Sequence, residues 1–484
     1  MKNFDLRKSG LDLLMEFSRL FIAIVFIYSG FVKAVDPLGS TYKFLDYFHD
    51  AFGIFALDWA AFPLSFLLAA AEFAIGMNLL FGVKVKITTI AAFAFMLIFT
   101  PLTLYLAIAN PVHDCGCFGD ALILSNWETF YKNIIIDVFL IIIYLFRNRY
   151  KKVFSCKWEW VFVGFAFLLS IGISFDGYKN LPMFDFRPYK IGAHINHGML
   201  MPEDAVPPIY ETSLLYTNSK TGEQKEFTLE NMPEGEEWQW DSTINKLIQE
   251  GYSPPIHDFS IKSKDSDITD LVLADPMYNW LLVAWDLKTT DMDAFVKANE
   301  IAKFCREAGI GFRCLTSTSD QEVAEFVKEL EKLVPEDTSA AAINTEAEKQ
   351  VVFIYEREGE IMEVTIEDSE PDSSWTLATV DTIYIDPVIP SKVAIEFFGT
   401  DPITLKTIVR ANPGLVLLRD GIIIGKWHYR HFPNVEDIKE NHFMANAFED
   451  YINNTGTLNN KIIYLLLLSV FLLYLSFIVY WRRR

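Results

Sequence analysis

Two cysteines separated by one glycine, Cys115 and Cys117 in "HDCGCFGD" (113–120), are the residues of this chain best placed to do chemistry. A Cys-Gly-Cys disulfide closes a small, strained ring, and strained, exposed disulfides are the labile, oxidising ones. Gly116 supplies the backbone freedom that ring needs. His113 and Lys33, if close, favour a thiolate; Asp114 and Asp120 oppose it. The same residues suit an inert structural disulfide. A soft-metal site of two thiolates and His113 lacks a second Cys/His pair nearby, so no metal is expected. A second set of residues falls inside apolar runs: Arg19, Lys33, Glu72, Lys132 and Asp137. Charges at membrane depth are costly and usually face a bundle interior or a functional cavity. Glu72 and Asp137, at similar depth, are expected to share a proton or to pair with a basic neighbour. Asn133 and Asp137, four apart, share a helix face. The competing reading is polar glue between helices. Lys33 and Lys132, near span ends, are expected to snorkel to the interface.

The elements that position these residues are legible as apolar runs close to the spanning length of about 20 residues. There are six: Phe17–Val35, Pro63–Val83, Ile87–Ala109, Thr129–Phe146, Trp158–Phe175 and Ile462–Trp481. The first lacks a small-residue cleavage site and reads as a retained helix. Ser125 and Glu128 form an S-x-x-E capping box that starts the fourth span just after the cysteines. Basic clusters at Lys2/Arg7/Lys8, Lys84/Lys86, Arg147–Lys152 and Arg482–Arg484 fall on one face if there are six spans, which makes that face cytoplasmic. Both termini are then cytoplasmic, and the CGC loop and residues 176–460 face outward, into a periplasm where disulfides persist. Cys156 lies alone on the inner side and is expected to stay reduced.

Charge follows the same division. The net charge of −21 resides almost wholly in 176–460. Such a surface repels nucleic acid and anionic lipid, so no nucleic-acid partner is expected.

"RLFIAIVFIYSGFVKAVDP" (19–37), Glu72 and "CGCFGDAL" (115–122) together resemble the DoxX-like and methylamine-utilisation MauE-type membrane proteins over about residues 15–150. The resemblance implies a four-helix membrane bundle and a thiol–disulfide role in the maturation of envelope proteins. The matched positions are Cys115, Cys117, Arg19, Ser29, Gly30, Lys33, Asp36 and Glu72.

The acidic middle begins with a Pro/Gly-rich linker, 176–212, whose His194 and His197 read as loop residues. An internal repeat follows: 213–240 parallels 351–378, each an apolar strand, a turn, an alternating strand, an acidic turn and Trp. Trp238 or Trp240, and Trp375, are expected to plug small cores. "NWLLVAWDL" (279–287), "DAFVKANEIAKFCREAG" (293–309), "IGFRCLTST" (310–318) and "SDQEVAEFVKELEKL" (319–333) read as strand, helix, strand and helix. With 393–427, ending in Asn412-Pro413-Gly414 and two strands joined by Asp420-Gly421, they resemble a thioredoxin fold over 279–450, with the second repeat inserted at about 335–392. Pro413 matches the position of that fold's cis-proline and marks a groove for a partner. The fold's Cys-x-x-Cys is missing: the corresponding segment is "DLKTTDMDAF" (286–295). Cys305 and Cys314 lie on apolar faces and read as core residues or as a structural disulfide.

The expected architecture is a four-span bundle (1–152), a fifth span (153–175), a linker (176–212), a β-rich repeat region (213–278), a thioredoxin-like α/β domain (279–450) and an anchor helix (461–484). The expected function is thiol–disulfide exchange by Cys115 and Cys117 in the inner membrane. Arg19, Lys33, Asp36, Glu72, Lys132 and Asp137 support the pair, and a periplasmic client or partner docks beside it. A quinone cofactor enters by analogy with other four-helix disulfide-forming proteins. The alternatives are a non-enzymatic envelope scaffold with a structural CGC clip and, third, a proton-coupled transporter using Glu72 and Asp137.

Overall fold

The computed structural model describes residues 6–112, 114–150, 155–202, 204–206, 209–218, 224–228, 231–233, 237–249, 251–252, 254–263, 266–335, 348–357, 360–365, 376–385, 392–439, 443–447 and 449. His113, Trp375, the basic C-terminal cluster and the expected span Ile462–Trp481 lie outside them.

The N-terminal region holds five long helices, α1 (Leu6–Val35), α3 (Asp58–Leu80), α4 (Val85–Ala109), α5 (Asn126–Phe146) and α6 (Cys156–Lys179), with a short helix α2 (Pro37–Asp46) between the first two. The segment Phe55–Leu80, which contains α3, and α4, α5 and α6 are each long and apolar enough to cross a membrane. Their apolar residues point outward as well as inward, as expected where lipid rather than water surrounds the helices. α1 lies antiparallel along α3. Packing there depends on small residues, because lipid offers no hydrophobic force to push helices together. A Cβ on Gly30 would sit 2.4 Å from the Phe73 backbone nitrogen, and one on Gly76 would sit 2.6 Å from that of Ile27. The two glycines let the α1 and α3 backbones meet. α6 also packs on α1 and α3, so the bundle is larger than the expected four helices.

Helix α2 falls between the expected spans Phe17–Val35 and Pro63–Val83, where no element was expected. Its signal is the Asp36-Pro37 pair. Asp36 is the N-cap, accepting from Gly39 N at 2.9 Å, and Pro37 opens the helix where no N–H is needed.

The outer region centres on a five-stranded mixed sheet. Strands β4 (Tyr278–Val283), β5 (Gly311–Thr316) and β9 (Glu396–Gly399) run parallel, and β10 (Gly414–Arg419) and β11 (Ile422–His428) run antiparallel, in the order β11-β10-β4-β5-β9. Asp420 and Gly421 both take positive φ in the β10–β11 hairpin, as a two-residue type I′ turn requires. Successive β4 residues face opposite ways. Trp280 and Leu282 pack with α9 (Met292–Glu307) and α10 (Asp320–Leu333), whereas Leu281 and Val283 pack with α11 (Pro402–Ile408), with Ile195 of α7 (Ile195–Met199), with Leu273 of α8 (Thr269–Leu273) and with Tyr189, Ile256 and Phe259. The expected linker is therefore in part core: Tyr189 and Ile195 are buried against the sheet, and His194 pairs with Ile422. The His194 and His197 rings stack with centroids 4.0 Å apart.

The internal repeat appears as two antiparallel three-stranded sheets of matching order, β2-β1-β3 and β7-β6-β8. β1, β2 and β3 are Ile209–Asn218, Gln224–Thr228 and Trp238–Gln249; β6, β7 and β8 are Glu348–Arg357, Glu360–Thr365 and Thr376–Ile385. Both carry a register shift at equivalent places, Leu215/Tyr216 and Ile354/Tyr355. Trp238 packs edge-on to Phe227, as expected of a small core, but Trp240 is exposed.

Candidate functional site

The two cysteines sit at the end of the bundle nearest the outer domain, in the loop between α4 and α5. Both ends of this loop are pinned. Asn126 donates to the Val112 carbonyl and the Asn110 side chain, each at 2.8 Å. Ser125 and Glu128 make the expected capping box. Within the loop, Asp114 accepts from Gly116 N at 2.8 Å and from Lys43 of α2 at 2.9 Å. Gly116 takes φ +64, and a Cβ there would collide with the Lys43 stem at 2.8 Å. Only glycine satisfies both demands. The turn brings Cys115 Sγ and Cys117 Sγ to 2.8 Å as free thiols.

The environments of the two sulfurs differ. Cys115 is 6 % exposed, with its carbonyl accepting from the Tyr47 hydroxyl; Cys117 is half-buried. The hydrogen bond to Cys115 draws the Cys117 thiol down to about 6, and Lys132 and Lys33 favour its thiolate against burial and Glu72. The same hydrogen bond, with burial, pushes Cys115 well above the ordinary thiol value. One proton is thus shared by a pair in which Cys117 carries the negative charge. Asp114 and Asp120 oppose this less than their proximity in sequence suggests, because Lys43 and Arg410 neutralise them.

Beneath the loop lies an ion pair. Lys33 Nζ is 2.9 Å from Glu72 Oε2 and 2.7 Å from Ser29 Oγ, and it also donates to the Cys117 carbonyl oxygen. Ser29 Oγ is 2.7 Å from both Glu72 Oε2 and the Cys117 carbonyl oxygen. Lys33 does not snorkel: its three N–H bonds find three acceptors inside the bundle, which offsets the cost of burying the charge. Lys132, unlike Lys33, has no carboxylate within salt-bridge distance among the described residues; its ammonium lies 4.4 Å from the centroid of the Phe118 ring, beside the thiols.

The remaining expected site residues divide. Asp36 joins the assembly from the side. Glu72 and Asp137 do not meet: Asp137 accepts from Thr100 at 2.8 Å, and Asn133 bonds Thr103 instead. Arg19 lies at the far end of the bundle. It holds Glu16 at 2.7 Å and donates to the Leu79 and Leu80 carbonyls, the negative end of α3. There it secures helix packing and is remote from the thiols. Cys156 is exposed at that same end, 3.0 Å from Lys84. Cys305 and Cys314 are buried in the helical layer of the outer domain as free thiols. Burial pushes Cys305 to about 12 and Cys314 higher still, so both are inert.

Residues that sequence reasoning missed join the outer domain to the bundle. Arg410, two residues before the cis Asn412–Pro413 peptide, is buried and holds Asp36 at 2.9 Å and Asp120 at 3.1 Å. Its guanidinium lies over Tyr42 of α2, and Trp285 meets Tyr42 edge-on. The segment leading to Pro413 thus meets the protein's own α2 and CGC loop through Arg410. Asp185 ties the segment after α6 to β11 through Lys426 at 3.0 Å, and Arg187 bonds Asp185 and the Thr407 carbonyl. Asp286 accepts from Lys288 N and Thr289 Oγ1, closing the turn that stands where Cys-x-x-Cys was sought.

The fold and site define an integral membrane helical bundle with a dithiol at one end, covered by an α/β domain. Residues 11–147, which contain α1's packing face through α5 and every thiol-side residue described above, match a family described as methylamine utilisation protein MauE. The segment is similar to that family, which covers less than a third of the chain. Residues 210–250, the β1–β3 sheet, match a family described as a domain of unknown function. No curated protein and no solved structure matches the chain.

Proposed function

We propose that the protein exchanges thiols and disulfides with an extracytoplasmic client, with Cys115 and Cys117 as the working pair. The observation that carries this reading is the asymmetry of the pair: with the two sulfurs 2.8 Å apart, Cys117 is favoured as thiolate by its hydrogen bond to Cys115 and by Lys132 and Lys33, and Cys115 is held as thiol. A low-pKa thiol beside a resolving thiol is the arrangement that exchange chemistry needs. The Cys117 thiolate attacks a client disulfide, breaking its S–S bond and giving a mixed disulfide and one client thiolate. Cys115 then resolves the mixed disulfide, forming the intramolecular S–S bond and releasing the second client thiolate. In the opposite direction the same steps oxidise a client dithiol.

The orientation that suits this role places the CGC loop outside. Lys84, Lys86, Arg147, Arg149 and Lys157 gather at the opposite end of the bundle, the end that the positive-inside rule assigns to the cytoplasm. A thioredoxin-like reading of the outer domain is supported by the parallel β4–α9–β5 unit, then α11, Pro413 and the antiparallel β10–β11 pair. It departs from that fold in drawing its edge strand, β9, from after α10. Without cysteines at 286–295 the domain serves as a cover and docking element for the bundle's own dithiol. The test is trapping: with Cys115→Ser, the remaining Cys117 should hold clients as reductant-sensitive mixed disulfides, and Cys117→Ser should not. Equal or absent trapping by both variants would refute the assignment.

A further inference from the structure

An apolar cavity of about 260 Å³ opens directly beneath the dithiol. Cys115 and Cys117 form one end of it, and Phe26, Phe95, Phe99 and Leu102, from α1 and α4, form much of its wall. These walls belong to the bundle, so an occupant enters from the bilayer and must be apolar over most of its surface. Its thiol end is different. The Lys132 ammonium lines the cavity there, and among the described residues no carboxylate lies within salt-bridge distance of it. The Lys33–Glu72 pair lines the same end. An acyl chain has nothing to offer such a cation; an aromatic ring bearing oxygen acceptors does. The cavity also lies where electrons from the pair have no protein destination: the segment 286–295 holds no cysteine, and Cys305 and Cys314 are sealed in another core.

We infer that this cavity binds a lipid-soluble quinone, which takes two electrons from the Cys115–Cys117 dithiol. The inference rests on the exchange reading and gives it a direction: clients are oxidised and quinone is reduced. The Cys115 S–H bond breaks and one S–S bond forms. Two electrons pass from the pair to the quinone with two protons, one from Cys115 and one from solvent water, and its two carbonyl oxygens become the hydroxyls of a hydroquinone. Lys132 donates a hydrogen bond to the ring oxygen on which negative charge develops.

The test uses the full-length protein, reduced anaerobically in nanodiscs of uncharged phospholipid, with decylubiquinone as the probe. Quinone reduction is read by absorbance and disulfide formation by a mass-shifting alkylator. One quinone should be reduced per chain as the disulfide forms. Lys132→Met should slow this by roughly 10²-fold, the scale of losing one donor to a developing anion, and should move its pH profile upward; Lys132→Arg should restore much of the rate. A photoreactive azidoquinone should label α4 and α5 near the loop. If oxidised glutathione oxidises the pair and decylubiquinone does not, the quinone site is refuted while the exchange reading stands. If neither oxidises it, the exchange reading fails and this inference with it. Equal rates in wild type and Lys132→Met would refute the assigned cavity.

Discussion

Arg410 is the side chain on which the coupling of the two halves most depends. It reaches from the loop before β10 to Asp36, the N-cap of α2, and to Asp120, three residues after Cys117. Its own side chain is 6 % exposed and that of Asp36 is 17 %, so this limb is a charge-assisted bond in a largely dry site, worth about 2 kcal/mol. Asp120 is 41 % exposed, and solvent screening reduces that limb to about 0.5 kcal/mol. Arg410→Met should therefore weaken docking by about 2–3 kcal/mol, a factor of roughly 30–160 in the closed-to-open ratio. Asp36→Asn isolates the ion pair, because asparagine caps a helix as well as aspartate does. The assay is amide hydrogen exchange of the full-length protein. α2, the loop 114–121 and the segment 403–413 should all exchange tens of times faster in Arg410→Met and in Asp36→Asn. The double variant should be little worse than either single, since both remove the same contact. Unchanged exchange in Arg410→Met, or strictly additive effects, would show that the domain is held by something else.

Three further outcomes are expected. Glu72→Gln leaves the Lys33 charge buried without its counter-ion and should cost about 3–5 kcal/mol in unfolding experiments, whereas Lys33→Met with Glu72→Leu should cost less than either break alone; a double variant worse than both singles would contradict this. Gly76→Val forces a side chain against the α1 backbone, which cannot yield, and should lower stability by about 1–3 kcal/mol, seen as a lower melting temperature in detergent; an unchanged value would refute the close crossing. The Cys117 thiol is lowered to about 6, so its thiolate is present above that pH and lost below it. The alkylation rate should level off by neutral pH and fall on acidification through about 6, and Lys132→Met should move the inflection up toward the ordinary thiol value near 8.5; an inflection near 8.5 in the unaltered protein would contradict the asymmetry.

Sequence reasoning succeeded where one local rule decides the outcome. Apolar length marks α3 to α6, S-x-x-E marks the start of α5, and Asp420-Gly421 marks the β10–β11 turn. The CGC loop was found in the same way, by residue type and spacing. Reasoning failed where a partner far along the chain chooses between local options. Lys33 at a span end reads as a snorkelling residue, and only the placement of Glu72 and the Cys117 carbonyl turns it inward. Arg410 and Asp36 are 374 positions apart, and nothing local in either segment announces the contact. Residues 176–212 read as linker because their composition lacks periodicity, yet Tyr189 and Ile195 complete a sheet face. α2 is the avoidable miss, since Asp36-Pro37 is a helix-start signal that charge counting obscured.

The most direct test of the account is the redox state of Cys115 and Cys117 in intact cells, trapped with a mass-shifting alkylator before and after a brief pulse of reductant. Arrested respiration is included as a second condition. The pair should be reduced by the pulse, reoxidise within minutes, and stay reduced when respiration is blocked. A pair that resists the pulse, or holds one state under every condition, would make the CGC turn a structural clip and the protein a scaffold.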